Sequence, residues 1–182
     1  MTPLDSLPQT GQLVTLRRLR ASDLRAFQDY RHDPEIGRLQ GWSPEPDEAA
    51  REFLAAMSVA VPFVPGEWFQ LGIAETVSDL LIGDIGVRVS RDQSVSEVGI
   101  SLRRESHGRG LATEALSMAI ALIFRYSASG SVRAFTDQRN RSAIRLLRRA
   151  GMREIATREA EFRGLPCKEV VFSRSRPTGE GA

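Results

Sequence analysis

The spacing of apolar positions changes along the chain, and each change predicts an element. From Gln12 to Arg20, Leu13, Val14, Leu16 and Leu19 mark a strand. Ala21-Ser22-Asp23 offers oxygens that cap a helix start, and Leu24, Phe27 and Tyr30 follow as a short apolar stripe that Pro34 stops. After a loop from Gly41 to Pro46, Asp47 opens a second helix with Ala50, Phe53, Leu54 and Met57 at i, i+3, i+4 and i+7. Pro62 to Gly66 breaks the chain. Three strands are predicted next, Trp68 to Ala74, Leu80 to Val89 and Val95 to Leu102, joined by hairpin-like turns at Ser78-Asp79 and Arg91-Asp92-Gln93.

A long helix follows Gly110, with Ala112, Ala115, Leu116, Ala119, Leu122 and Ile123 on one face, and ends at Ser129-Gly130. Val132 to Asp137 reads as a strand. Ser142 to Ala150 reads as a helix with Ala143, Leu146, Leu147 and Ala150 on one face, and Gly151 suits its left-handed C-cap. Met152 to Glu159 and Lys168 to Ser175 close the chain as strands, and the tail from Pro177 to Ala182 reads as disordered. The order is β-α-α-β-β-β-α-β-α-β-β, which predicts one α/β (α+β) domain with seven strands. No repeat or linker divides the 182 residues, and the core spans about 11 to 175.

Composition narrows the function classes. Hydrophobic residues make up 41% of the chain, yet no apolar run nears the roughly 18 residues of a membrane span. Met1 to Thr10 lack a basic start followed by an apolar stretch, so neither membrane nor signal peptide is expected. One cysteine, Cys167, cannot form an internal disulfide, which fits a cytoplasmic protein, and one Cys with two His gives no metal site. The formal charge is only +2, but Arg139, Arg141, Arg145, Arg148 and Arg149 cluster. No stacking aromatics accompany them, which disfavours nucleic acid as partner. The cluster also reads as a mostly solvated helix face; a phosphate-bearing cofactor would account for part of it, with Arg145, Arg148 or Arg149 as the residues that would reach it.

The informative stretch is Ser106-His107-Gly108-Arg109-Gly110-Leu111-Ala112-Thr113-Glu114-Ala115, between a strand and a helix. Its two glycines admit backbone angles closed to other residues, and the N–H groups of a helix start attract phosphate. Arg109 adds a cation. A tight strand-to-helix turn would read the same way. A dinucleotide fingerprint would need a third glycine where Thr113 stands, and the Gly-Lys-Ser/Thr of a P-loop is absent.

His107-x-x-Gly110-x-Ala112 resembles the Gln/Arg-x-x-Gly-x-Gly/Ala loop of GNAT N-acetyltransferases, with His107 a departure. Gly108 to Ala115, Asn140 to Met152, Asp33-Pro34-Glu35 and Gly41-Trp42 are similar to the RimJ/RimL branch. The resemblance implies the GNAT fold: a mixed, mostly antiparallel seven-stranded sheet with helices on both faces, splayed between strands 4 and 5. It implies acetyl-CoA as co-substrate, without metal, and direct transfer to a primary amine of a small molecule or a protein N-terminus. The loop from His107 through Gly108, Arg109, Gly110, Leu111, Ala112 and Thr113 then holds the pyrophosphate. Ile100, Ser101 and Leu102 supply amide contacts to the pantetheine arm, with an N–H near Ile100 facing the oxyanion. Asn140 and Ser142 act at the reactive end, although both residue types are also ordinary helix caps.

Glu97 and Asp84 are the candidate bases, each also readable as a plain strand carboxylate; Glu159 and Glu161 are weaker candidates. His32 reads as structural, Trp42 and Trp68 as core or pocket wall, and Cys167 as no nucleophile. The acceptor pocket is expected within Arg31 to Val64. Two other readings remain: a non-catalytic acyl-CoA-binding regulatory module, and a basic nucleic-acid-binding protein. A homodimer is left open.

Overall fold

The structure is a computed structural model and describes residues 6–177. Of the expected tail from Pro177 to Ala182, residues 178–182 lie outside the described residues, as does the start of the segment from Met1 to Thr10. One sheet of eight strands runs through the molecule: β1 (Gln9–Thr10), β2 (Val14–Arg18), β3 (Trp68–Glu75), β4 (Leu81–Val89), β5 (Val95–Leu102), β6 (Ser131–Asp137), β7 (Arg153–Phe162) and β8 (Leu165–Ser175). Their order across the sheet is β1-β2-β3-β4-β5-β6-β8-β7. Among the described strands, only β5 and β6 pair in parallel. The eighth strand is the two-residue β1, too short to leave a periodic signal.

Helices α1 (Leu24–Arg31), α2 (Pro34–Gly37), α3 (Asp47–Val59), α4 (Leu111–Tyr126) and α5 (Arg141–Arg149) cover both faces. The alternation along β4 shows this. Ile85, Val87 and Val89 join one core with Leu116, Ala119 and Ile123 of α4 and Ile144 and Leu147 of α5. On the opposite face Asp84 meets α1, and a second core gathers Leu19, Phe27, Tyr30, Leu54 and Leu81. Each such large side chain removed from water contributes roughly 1.5–3 kcal/mol, so the two cores fix both helix layers to the sheet.

Pro34 ends α1 as expected and then opens α2. Asp33 accepts the Glu35 N–H at 2.9 Å, and proline fits the first helical turn because it lacks the N–H that would go unpaired. The β7–β8 hairpin is longer than its sequence pattern. It closes at Arg163-Gly164, with φ of +53° and +74°, as a two-residue turn whose twist suits paired strands.

The feature that positions the site is an interrupted pairing. β5 and β6 pair only at Val95–Ser131, Ser96–Val132 and Glu97–Arg133. From Val98 to Leu102 this edge of β5 has no strand partner, leaving roughly 13 Å of open backbone at about 3.3 Å per residue.

Candidate active site

Hydrogen bonds at both ends of β5 define which groups face this opening. Val95 O and Arg103 N bond toward the β4 side, at Ser90 and Ile82, whereas Ser94 O bonds Gly130 on the β6 side. A strand residue turns its N–H and C=O to the same edge, and successive residues alternate. Val98, Ile100 and Leu102 therefore face the gap, and Ser101 faces β4. Of the three residues expected to line the gap, Ile100 and Leu102 do; Ser101 does not, and Val98 stands in its place. The Ser101 hydroxyl instead accepts the Trp42 Nε1–H at 3.1 Å.

Two cavities flank the gap. The first, of about 520 Å³, is bounded by Ile100 and Leu102, the loop from Ser106 to Gly110, the start of α4 and one face of α5. The second, of about 490 Å³, lies over the other face of β4 and β5 and reaches the β7–β8 hairpin. Leu39 and Gln40 border both, so the segment after α2 runs along the boundary. Gln40 Nε2 donates to Ile100 O at 3.1 Å. Arg163 Nη2 donates to the carbonyls of Gln40 and Trp42 at 3.2 and 2.6 Å, tying this segment to the hairpin tip.

The loop of the first cavity has the backbone that its glycines suggested. Gly108 and Gly110 have φ of +75° and +83°, and Gly110 caps the 16-residue α4. A Cβ on Gly108 would meet nothing within 4 Å, so its tolerance is needed for the backbone angle and not for packing. His107 Nε2 pairs with Leu102 O at 2.8 Å and fastens the loop to β5. Arg109 turns away: it pairs with Glu75 at 3.0 Å and is absent from the cavity wall, so the cation expected there is not its guanidinium. Arg38, Arg104, Arg145 and Arg149 line the wall instead. Of the three α5 arginines considered, Arg148 pairs with Glu154 outside it.

Leu111, Ala112 and Thr113 line the same cavity, as do Asn140 and Ser142. Asn140 Oδ1 accepts the Ala143 N–H at 3.1 Å and the Ser142 hydroxyl at 2.9 Å, so Asn140 is the N-cap of α5. The apolar stripe of α5 divides: Ile144 and Leu147 enter the core, whereas Ala143 and Leu146 face the cavity.

The two candidate carboxylates both reach the second cavity. Glu97 is partly exposed and accepts from Arg88 at 2.7 Å through Oε2. Asp84 is nearly inaccessible, and its Oδ2 accepts from both the Tyr30 hydroxyl and Arg31 Nη2, the latter at 2.7 Å. Burial, and then the charge of Asp84, hold the Tyr30 phenol well above its ordinary pKa, so Tyr30 stays a donor. Burial would lower the Arg31 pKa, but Asp84 outweighs it and the net shift is upward. Glu161 borders the cavity, whereas Glu159 pairs with Lys168 at 3.7 Å on the surface. Cys167 is also in the wall, its thiol pushed up by partial desolvation and by Asp137 and Glu169. His32 bonds Gln28 O at 3.1 Å and lines neither cavity.

Only Leu39 to Trp42 of the stretch expected to hold the acceptor pocket lines the second cavity; its other walls come from β3 to β8. Gln40 and Arg104 carried no sequence signal, because their contacts join segments 60 and 71 residues apart. Among the described residues, no group of three or more His, Cys, Asp or Glu is placed to hold a metal, and no helix is long and apolar enough to cross a membrane.

A splayed parallel pair, a glycine loop opening a long helix and a cavity on each side of the gap define an acetyltransferase fold of the GNAT kind. The chain matches the acetyltransferase (GNAT) domain over residues 14–153 and belongs to that family. It is similar in structure to a putative ribosomal-protein-serine acetyltransferase from Vibrio cholerae, with a TM-score of 0.77 and 19% identity over 97% of this chain and 100% of that one. It is also similar to spermidine N-acetyltransferase from Vibrio cholerae in complex with CoA and spermine, with a TM-score of 0.76 and 18% identity over 91% and 96%. A third likeness is to the microcin C7 self-immunity acetyltransferase MccE in complex with acetyl-CoA and AMP, with a TM-score of 0.77 and 13% identity over 91% and 94%. No curated protein sequence matches.

Proposed function

We propose that acetyl-CoA occupies the first cavity and that a primary amine, entering through the second, attacks the thioester directly in a ternary complex. The observation that carries this reading is the gap between β5 and β6, which is bordered by both cavities. The pyrophosphate sits at the loop amides of Gly108 to Leu111, where the α4 dipole favours negative charge. Arg145 and Arg149 add cations. The pantetheine arm lies along Leu102, Ile100 and Val98, which brings the thioester to the vertex of the splay beside Glu97.

At that vertex the reaction needs alignment, an oxyanion donor and a proton acceptor. The N–H groups of Ile100 and Val98 face the gap and are the donors available to the developing oxyanion. Glu97 takes the amine proton, directly or through one water. Asp84 is held by two donors and acts as a positioning residue beneath it. The amine nitrogen bonds to the acetyl carbon, the C–S bond breaks, and the departing thiolate accepts a hydrogen bond from the Ser142 hydroxyl. A thiol of pKa about 8.5 leaves without full protonation.

The test incubates the protein with acetyl-CoA and a panel of primary amines and follows thiol release. Time-dependent release that requires an amine is the expected result. Binding of CoA, read as a raised melting temperature, without release to any amine would instead favour a regulatory acyl-CoA-binding module.

A further inference from the structure

The two cavities differ in charge. Five carboxylates line the second cavity, Asp84, Glu97, Asp137, Glu161 and Glu169, and no lysine, arginine or histidine does. Four of them hold an arginine, namely Arg31, Arg88, Arg139 and Arg158 in that order, and none of these arginines borders the cavity. Glu161, near the end of β7, is in no ion pair among the described residues. The rings of Trp42, Trp68, Phe135 and Phe162 complete the wall.

We propose that the acceptor is a polyamine-like cation: a primary amine that carries at least one further protonated nitrogen. This rests on the reading of the second cavity as the acceptor's. A wall of carboxylates and ring faces attracts ammonium groups. The requirement for a second charge follows from the chemistry. The reacting nitrogen must lose its proton before it attacks, so its own charge is gone when bond formation begins. The negative wall then holds the substrate through a nitrogen that stays protonated throughout. Glu97 stands at the vertex, beside the reacting nitrogen. Glu161, remote from it along the hairpin and without a cation of its own, is the carboxylate for the distal ammonium. An acceptor that brings a carboxylate of its own, such as an acidic N-terminal peptide, meets like charge in this cavity and is rejected.

A contact made equally in the ground state and the transition state acts on KM and not on kcat, which separates this role from catalysis. The experiment measures initial rates of thiol release at saturating acetyl-CoA with butane-1,4-diamine, spermidine, butylamine and a peptide beginning Ala-Glu. The diamine and spermidine are expected to exceed butylamine in kcat/KM at least tenfold, with the peptide slowest. Glu161→Gln, at an exposed position, raises KM for the diamine about tenfold with kcat nearly constant, and brings its kcat/KM close to that of butylamine. Equal rates for butylamine and the diamine, preference for the acidic peptide, or an unchanged KM in Glu161→Gln overturns the proposal alone. No transfer to any of these amines, with CoA still raising the melting temperature, overturns the acceptor-cavity reading and this proposal together.

Discussion

The Gln40 side-chain amide donates to Ile100 O at 3.1 Å, across the opening in the sheet and between the two cavities. Ile100 presents its main chain to the edge along which a pantetheine arm would pair. If acetyl-CoA pairs along this edge, the glutamine holds an acceptor that the cofactor's own amide would take and must release it on binding. A typical net hydrogen bond is worth about 1 kcal/mol, roughly fivefold in affinity. Gln40→Ala is expected to tighten CoA binding by about that factor in calorimetric titration. Weaker binding would show that Gln40 contacts the ligand rather than competing with it.

Gly110→Asp should separate ligand binding from folding. At φ +83° a non-glycine residue costs roughly 1–2 kcal/mol, and the space around a Cβ there is open, with Leu13 Cδ1 no closer than 3.6 Å. The fold should survive with a modestly lower melting temperature, while the new carboxylate repels pyrophosphate at the helix start. CoA affinity is expected to fall by at least tenfold in a variant that circular dichroism shows to be folded. Unchanged affinity would mean that the loop serves only as a turn.

The parts of this architecture that the sequence made legible are those with local causes. The period-2 runs at Ile85-Val87-Val89 and Val98-Ile100-Leu102, and the long apolar face after Gly110, each form the expected kind of element, although β4 is buried on both of its faces. Gly108 and Gly110 announced left-handed backbone because few other residues adopt it. Long-range pairings left no such trace. Arg109 could have pointed to a ligand or to Glu75, and nothing adjacent in sequence decides between them. Ser101 has the same alternation as its neighbours; only the hydrogen bonds of Val95 and Arg103 fix which edge it faces. The acidic second cavity is assembled from six strands and one loop, so its five carboxylates never appear as a cluster along the chain.

Glu114 ties the start of α4 to the first long strand. Its carboxylate accepts the N–H groups of Gln12, Leu13 and Val14 at 2.8, 2.8 and 2.9 Å, about 100 residues away in sequence. Removing the acceptor leaves three donors to find water, at a cost of roughly 1–3 kcal/mol for such charge-assisted bonds. Glu114→Ala is expected to lower the melting temperature by several degrees. Because Glu114 holds the start of α4 without lining the first cavity, CoA affinity in the folded variant should change little by comparison.

Acid should loosen the molecule through carboxylates that folding stabilises in their charged form. The hydrogen bonds of Ser90 and Ser94 bring Asp92, in the β4–β5 turn, down to about 2, against about 3.9 for an unperturbed aspartate. Asp137 is lowered chiefly by its bond from Arg139. Asp33 and Asp79 are lowered too: some desolvation acts against this, and backbone or arginine partners outweigh it. A depressed folded-state pKa gives stability that is complete above the unfolded value and is lost as pH falls through the folded one. Stability is therefore expected to hold to about pH 5 and to decline between about 4 and 2. Asp92→Asn should lower stability at neutral pH and flatten the acid limb of a denaturation series. An unchanged limb would place the acid sensitivity elsewhere.

Ser142 and Asn140 can be told apart because the structure gives them different jobs at the start of α5. Both residue types cap helices, so sequence alone left capping and catalysis entangled. Here the cap is Asn140, whose Oδ1 accepts the Ala143 N–H at 3.1 Å, while the Ser142 hydroxyl donates to that same oxygen at 2.9 Å from the cavity side. Asn140→Ala removes the cap and should cost about 1 kcal/mol. Ser142→Ala leaves the cap bond in place and removes one hydroxyl from an exposed first turn, where alanine is if anything the better helix former. Its melting temperature should stay within about two degrees of the parent. If the hydroxyl bonds the departing thiolate, the variant loses a contact made mainly in the transition state, and kcat falls by one or more orders of magnitude while the KM for acetyl-CoA holds. The loss should shrink with an acyl donor whose thiol has a lower pKa, since a better leaving group needs less help. A Ser142→Ala enzyme with near-parental kcat on any working amine would remove the hydroxyl from the mechanism and leave it only an accessory to the Asn140 cap.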